Sequence, residues 1–312
     1  MNIFLDRCVS HIAVRRMLPH WVANGNSNWM LVDPIGCDVQ LSLIRIVTET
    51  NLPCALRLDG IYYDTATDYK KRNEKISEAH IKADAIIYQS EFCRHMCERY
   101  LAKRKEGAVT RIIYNGIDEN WCGEHIHTDA FDVIVIAKWR RHKRLQEIIE
   151  IFKLFLEDHN NVRLHVIGDL VENKREDNPN IIYHGQKEYE SLEAIFKIAD
   201  VSLHLSKKDC CPNSVVEVIG AGIPVITTSV CGGAMEMCGM VPGCWIALET
   251  DTLDPCSHYT DEYNKLSKDT RDQILYLLHT IYMARHRVKQ PVELSARHMA
   301  NKYLEVFKEI IK

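Results

Sequence analysis

The chain has 312 residues, of which 46% are apolar and 26% charged, the proportions of a folded protein of about two domains. Its formal net charge of −4 argues against nucleic acid as a partner, so any anion must be bound by a local cluster of basic residues. No apolar run approaches the ~20 residues that span a membrane, and no secretory signal segment is visible. We therefore predict a cytoplasmic protein with reduced thiols, and membrane association has no support in the sequence.

Short apolar segments alternate with helical ones along the chain. In the first 120 residues we predict an N-terminal strand and the strands PCALRLDG, ADAIIYQS and TRIIYNGID, with helices over 71–83 and 90–103. Beyond a polar linker at 118–130, the strands FDVIVIAKW, VRLHVIGD, IIYHG, DVSLHLS and IPVITTS alternate with the helices RLQEIIEIFKLFLEDH, EYESLEAIFKIA and SVVEVIGAG. This alternation predicts an α/β fold of two Rossmann-like domains, whose parallel sheets face each other across a cleft. Ligands of such sheets bind beyond the carboxyl ends of the strands.

The segment DCCPNSVVE, residues 209–217, directly follows one of these strands. Pro212 suits the start of a helix, where its missing N–H leaves no bond unmade. At the positive end of the helix dipole an anion would meet three backbone N–H groups, those of Asn213, Ser214 and Val215. Glu217 can accept hydrogen bonds from both hydroxyls of a ribose, and Asp209 can hold hydroxyls of a sugar. The alternative is an ordinary helix with an acidic first turn.

A second candidate site is AKWRRHKRL, residues 137–145, at the end of the first strand of the second half. Five basic residues crowd this segment: Lys138, Arg140, Arg141, Lys143 and Arg144. Beside the predicted anion site, their charge can neutralise a nucleotide diphosphate and stabilise it as a leaving group. The alternative is a solvated basic turn.

These motifs resemble the retaining glycosyltransferases of family 4, which have the GT-B fold. The family's acid-x7-acid element, E-G-F-P-N-S-x-x-E followed by A-x-G-x-P-V-I, is matched by DCCPNSVVE and VIGAGIPVITT, and its G-R-L-x-x-x-K-G by AKWRRHKR. The resemblance is specific over residues 85–312 and weak before them. It implies an acceptor domain at 1–122, a donor domain at 123–294, and a closing helix at 295–312 that crosses back to the first domain.

The resemblance implies transfer of a sugar from a UDP- or GDP-sugar to a hydroxyl of a glycan or glycoconjugate, with retention of configuration and without a cofactor. Glu217 would bind the ribose and Asp209 the donor sugar, while Lys138 and Lys143 would bind the diphosphate together with the amides of 213–215. The base would lie near three residues, Gly168, Gly185 and Gln186. No metal is expected, because no D-x-D motif follows a strand and lysines can take the place of a cation.

The sequence departs from the family pattern in several places. Asp209 stands where glutamate is usual, and Cys210 and Cys211 replace glycine and phenylalanine. The first domain is short and lacks the glycine-rich loop after its first strand. Asp59, in RLDGIYYD, stands where many relatives have a histidine. It either takes that polar role toward the donor sugar or acceptor, or belongs to a D-G turn.

Two alternatives stay open: a GT-B protein that binds a nucleotide sugar or glycan without catalysis, and another sugar-nucleotide enzyme of this fold, such as an epimerase. A dinucleotide oxidoreductase is not indicated, because no G-x-G-x-x-G opens a helix after a strand.

Overall fold

The computed structural model describes residues 1–8, 10–23, 33–119, 121–171, 175–187, 189–250 and 264–311. They form two compact units, one of residues 1–118 with 292–311 and one of residues 119–250 with 264–291. Each unit contains one parallel sheet with helices between its strands, which confirms the predicted pair of Rossmann-like domains. In the structure the units divide at 118/119 and 291/292, whereas the boundaries predicted from the sequence are 122/123 and 294/295.

The sheet of the first unit has five described strands, all parallel and in the order of the chain. The strands are β1 Ile3–Leu5, β2 Val39–Leu43, β3 Cys54–Leu58, β4 Ala85–Tyr88 and β5 Val109–Ile112. The helices are α1 Ile12–Ala23, α2 Tyr69–Lys82 and α3 Glu91–Tyr100. The order of these described strands never reverses, so no topological switch point lies among them.

The sheet of the second unit has six described strands, all parallel. The strands are β6 Phe131–Ile136, β7 Val162–Ile167, β8 Ile181–Gly185, β9 Val201–His204, β10 Val225–Thr228 and β11 Trp245–Ala247. The helices are α4 Leu145–Asp158, α5 Tyr189–Ile198, α6 Asn213–Gly220, α7 Gly233–Gly239 and α8 Lys268–Ala284. The spatial order is β11-β10-β9-β6-β7-β8, so the direction of winding reverses between β6 and β9. Ligands of open α/β sheets bind at such a switch point, which here lies at the carboxyl ends of β6 and β9.

The last helix, α9 Ala296–Ile310, packs on the first unit. Trp21 of α1 is fully buried and donates from Nε1 to the backbone oxygen of Ala300 at 2.9 Å. The ring of Phe307 meets the Trp21 ring edge-on, with 6.0 Å between centroids. This apolar contact, together with the indole hydrogen bond, explains why the end of the chain belongs to the first unit rather than the second.

Five elements escaped the sequence analysis: α1, β2, α7, β11 and α8. The strand β2 is the clearest case, because it reads VQLSL and its polar residues Gln40 and Ser42 are buried. Asp6, just after β1, accepts hydrogen bonds from Gln40 Nε2 at 3.2 Å and Ser42 Oγ at 2.8 Å. The same carboxylate accepts the N–H groups of Val47 and Thr48 at 2.7 and 3.0 Å. A buried carboxylate thus allows a core strand that does not read as apolar.

A second buried carboxylate, Asp132, anchors the amino end of β6. It accepts hydrogen bonds from Arg163 Nε at 2.6 Å, His165 Nε2 at 2.8 Å and Thr128 Oγ1 at 2.9 Å. Burial by itself would raise the pKa of this carboxyl, but the hydrogen bonds from His165, Arg163 and Thr128 outweigh it and lower the pKa to about 2. Because the folded pKa lies below the unfolded one, the stabilisation is present above about pH 4 and is lost as the pH falls toward 2.

We therefore expect Asp132→Asn to lower the free energy of unfolding at pH 7 by about 2 kcal/mol and to weaken its dependence on pH between 2 and 5. Urea unfolding across this pH range measures both effects. Glu157→Gln, at an exposed position of α4, is the matched control and should leave both unchanged. A variant at 132 that keeps the wild-type pH dependence would contradict the assignment.

Candidate functional site

The carboxyl ends of β6 and β9 bring two predicted site residues together. After β6 the chain makes a short 3-10 turn over Arg141–Lys143, and after β9 a loop leads into α6. Lys143 Nζ donates to Asp209 Oδ2, and each side chain is 18% exposed. These residues are 66 positions apart in sequence and meet because β6 and β9 are neighbours in the sheet. An anion arriving at this switch point meets a cation and a carboxylate that already neutralise each other.

The turn after β10 fixes the position of Asp209. The Asp209 N–H donates to the oxygen of Cys231 at 3.1 Å, and the Gly233 N–H donates to the oxygen of Asp209 at 2.7 Å. Just before it, Lys208 adopts a left-handed conformation with φ 57°. Cys211 is buried with its thiol 3.9 Å from the sulfur of Met237 in α7, so its bulk is taken up by packing. The turn after β10, residues 231–236, thus holds Asp209 in place through its backbone.

Two histidines that the sequence analysis did not single out surround the ion pair. His204, the last residue of β9, is 6% exposed and places Nε2 3.6 Å from Asp209 Oδ2. Burial would raise the pKa of Asp209, but Lys143 and His204 outweigh it and hold that pKa well below its usual range. Burial and the charge of Lys143 lower the pKa of His142 to about 3. The available signal in the sequence was a histidine at the end of a buried strand, five positions before Asp209.

Helix α6 begins as predicted beside Asp209, with one difference in its first turn. Pro212 is the residue that precedes the helix, with φ −65°. The Val215 N–H donates to the oxygen of Pro212 at 3.1 Å, so this amide is engaged inside the helix and does not belong to the predicted anion cradle. Asn213 and Ser214 lie at the helix start, where N–H groups point along the dipole. Glu217 lies one turn further, 7% exposed, and its backbone oxygen accepts the indole N–H of Trp121 at 2.9 Å.

The predicted basic cluster divides into three parts. Lys143 joins the ion pair with Asp209, whereas Lys138 is exposed on the segment before the 3-10 turn. Arg144 is buried, adopts φ 57°, and donates to both carboxylate oxygens of Glu249 at 2.9 and 2.5 Å. Arg144 is therefore part of the core of the second unit. Of the two lysines predicted to bind the diphosphate, Lys143 is thus held beside Asp209, and Lys138 is exposed to solvent.

Gly168 and Gly185 meet where β7 and β8 end. The Gly168 N–H donates to the oxygen of Gly185 at 2.8 Å, and Gln186 next to it is exposed. Gly168 has φ +109°, and a Cβ atom there would lie 1.9 Å from the oxygen of Ala137. The backbones after β6 and β7 therefore approach each other closely at the rim of the sheet.

Gly168→Ala is expected to destabilise the protein by about 2–3 kcal/mol, because it adds both a backbone clash and a disfavoured φ. Gly185→Ala is the matched control: it has φ +67° but open space around its Cβ, so only the conformational strain of about 1 kcal/mol applies. Denaturant unfolding compares the two. If both variants lower the free energy of unfolding equally, the predicted clash with Ala137 does not contribute to the destabilisation.

Asp59 lies in the first unit, at the carboxyl end of β3, in a polar cluster rather than in a bare D-G turn. It pairs with Arg57 and accepts from Gln89 Nε2 at 2.6 Å, and His11 Nε2 lies 3.3 Å from it. The Ala13 N–H donates to His11 Nδ1 at 3.2 Å, so Nε2 carries the proton that faces Asp59. Burial would raise the pKa of Asp59, but Arg57 and His11 outweigh it and lower that pKa.

Within the described ranges, no group of three or more His, Cys, Asp or Glu side chains is placed to hold a metal ion. Nor is any helix in those ranges long and apolar enough to cross a membrane.

Residues 120–246 match the protein family described as Glycosyl transferases group 1. No curated protein matches the chain significantly. Among solved structures, sucrose-phosphate synthase from Thermosynechococcus elongatus is 13% identical with a TM-score of 0.59, over 93% of this chain and 76% of that one.

Two further structures match almost the whole length of both chains. WaaG, a glycosyltransferase involved in lipopolysaccharide biosynthesis, is 13% identical with a TM-score of 0.60, over 100% of this chain and 98% of that one. HepE from Anabaena, solved with UDP and glucose, is 12% identical with a TM-score of 0.61, over 99% of each chain. The chain thus has the two-domain GT-B fold, and residues 120–246 of its second unit are similar to the group 1 glycosyl transferases.

Proposed function

We propose that this protein is a nucleotide-sugar-dependent glycosyltransferase of family 4 type, which moves a sugar from a UDP- or GDP-sugar to a hydroxyl of a glycan or glycoconjugate with retention of configuration. One observation carries the proposal: Lys143 and Asp209 meet at the switch point of the second sheet, directly before the N-terminus of α6. A cation and a helix N-terminus together suit a diphosphate, and the carboxylate beside them suits sugar hydroxyls.

Each group has a distinct role in the proposed reaction. Negative charge develops on the diphosphate as the bond to the anomeric carbon breaks, and Lys143 with the amides at the start of α6 stabilises it. Glu217 binds the ribose hydroxyls, and Asp209 orients the donor sugar. Gly168, Gly185 and Gln186 form the rim against which the base lies. In the first unit Asp59 orients a polar group of the donor sugar or acceptor. The positive charge of lysine takes the place of a metal ion at the diphosphate. Sugar transfer should therefore continue in the presence of a chelator.

The relatives support this reading through what their names state. HepE is described in complexes with UDP-glucose and with UDP and glucose, and WaaG is named a glycosyltransferase. A protein with the same fold, whose residues 120–246 match the group 1 glycosyl transferases, is expected to accept a nucleotide-linked sugar.

The test is a panel of UDP, GDP, ADP, UDP-glucose and GDP-mannose, with thermal unfolding followed in the presence of Mg²⁺ or of EDTA. A ligand at a hundred times its Kd adds about 2.7 kcal/mol, a shift that is easily measured. We expect one nucleotide to stabilise the protein equally in both conditions, and its sugar form to be turned over when acceptor glycans are added. Binding without transfer or donor hydrolysis would favour the non-catalytic alternative. No binding by any member would contradict the donor site.

A further inference from the structure

The neighbourhood of Asp209 contains a buried side chain that the proposed roles leave unused. His204 is 6% exposed, and its Nε2 meets no hydrogen-bond partner within the described residues. The nearest charged atom is Asp209 Oδ2 at 3.6 Å, the same oxygen that accepts from Lys143 Nζ. A buried polar atom that stops just outside hydrogen-bond distance of a carboxylate is unusual, because buried donors and acceptors are nearly always paired.

The three members of this cluster differ in how firmly they are held. Thr227 Oγ1 donates to the backbone oxygen of His204 at 2.7 Å, which fixes the end of β9. Asp209 is fixed by two backbone hydrogen bonds to the turn after β10. Lys143 has a flexible four-carbon stem and projects from a short turn. Lys143 is therefore the member that can move, whereas His204 and Asp209 stay facing each other.

A diphosphate at the start of α6 competes with Asp209 for Lys143. Once the lysine turns to the phosphate, Asp209 remains as a nearly buried carboxylate without its cation, an arrangement that is costly in a protein interior. His204 already faces the same oxygen and can restore neutrality by binding a proton from the solvent.

We propose that His204 is a positioning residue that takes over the carboxylate of Asp209 when Lys143 turns to the donor diphosphate, so that donor binding is accompanied by uptake of a proton at His204. The exchange leaves Asp209 paired with a cation in both states, first Lys143 and then protonated His204, and holds Asp209 toward the donor sugar. The inference rests on the proposed function, because it requires a diphosphate at the helix start.

The groups around His204 are consistent with this assignment. While Lys143 is paired with Asp209, burial and the charge of Lys143 lower the pKa of His204, so the ring is neutral, although Asp209 opposes the shift. His142 faces the same ion pair from the 3-10 turn, and its pKa of about 3 keeps it neutral. From the turn after β10, burial raises the pKa of the Cys231 thiol to about 12, so it carries no charge. Removal of Lys143 from Asp209 raises the pKa of His204 most directly.

Calorimetry of UDP-glucose or GDP-mannose binding tests the proposal, with each titration run in two buffers of different ionisation enthalpy. The diphosphate of a nucleotide sugar stays deprotonated near neutral pH. Any proton taken up on binding is therefore bound by the protein and not by the ligand. We expect about one proton to be taken up and affinity to fall by up to tenfold per pH unit as the pH rises above the pKa of free His204. His204→Gln should abolish the uptake, and His142→Gln, the matched control, should keep it. Equal uptake in wild type and His204→Gln would overturn the proposal.

A ligand-free measurement keeps this test separate from that of the proposed function. In Lys143→Met the cation is absent, and histidine ring NMR should show His204 protonating at a higher pH than in wild type. Identical titration of His204 in the two proteins would overturn the exchange. If the His204 titration shifts in Lys143→Met but no nucleotide binds the wild-type protein, the donor assignment is overturned. Only the electrostatic coupling between Lys143 and His204 would then stand.

Discussion

Replacement of Glu217 by glutamine is expected to weaken nucleotide binding by about ten- to a hundredfold, and replacement by alanine to abolish transfer. A carboxylate accepts from both ribose hydroxyls with charge-assisted bonds, worth about 1.5–3 kcal/mol, whereas an amide offers one oxygen and a competing NH2 group. Glu217 is 7% exposed on a short helix, so its direction is set by the backbone of α6.

The measurement is the Kd of the nucleotide found in the panel, together with kcat/KM for transfer. Glu157→Gln, on the exposed face of α4, is the control for removing an acid from the same unit. Unfolding must be measured alongside, because a buried carboxylate also affects stability. A Glu217→Gln protein that is folded and binds the nucleotide with wild-type affinity would contradict the ribose assignment.

Replacement of Lys143 by methionine is expected to have two separable effects. It leaves Asp209 without its cation, which should reduce the free energy of unfolding by about 2–3 kcal/mol at neutral pH. It also removes the charge that stabilises the leaving diphosphate, which should lower kcat by about a hundred- to a thousandfold. The side chains of this pair are each 18% exposed, so the pair is shielded from salt more than a surface pair.

The double variant Lys143→Met with Asp209→Asn separates these effects. Removal of both charges should restore most of the lost stability, because no unpaired charge remains, while transfer stays lost. The cycle is measured by urea unfolding and by initial rates. If the double variant is as unstable as Lys143→Met, the ion pair is not the source of the stability effect. If Lys143→Met keeps wild-type kcat, the lysine does not contact the diphosphate.

Much of the second unit was predictable, because its parallel strands are buried on both faces and are therefore nearly continuous apolar runs. The strand IIYHG was predicted with the bounds that it has in the structure, and α4 differs from the prediction by one residue at each end. The first unit was harder, because its buried polar residues, such as Gln40 and Ser42 around Asp6, interrupt the apolar pattern of β2. Hydrogen bonds between distant positions leave no local signal.

The sequence alone determined the α/β class, the place of DCCPNSVVE after a strand, and the start of a helix near Pro212, because apolar periodicity and proline chemistry are local properties. Only the tertiary structure decided which basic residue lies at the switch point beside Asp209. Lys143 and Arg144 are adjacent in sequence, yet one faces Asp209 and the other is buried against Glu249. The left-handed conformation of Arg144, where α4 begins, turns its side chain into the core. The adjacency of β6 and β9 in the sheet, which no local pattern specifies, brings Lys143 to Asp209 and places His204 beside both.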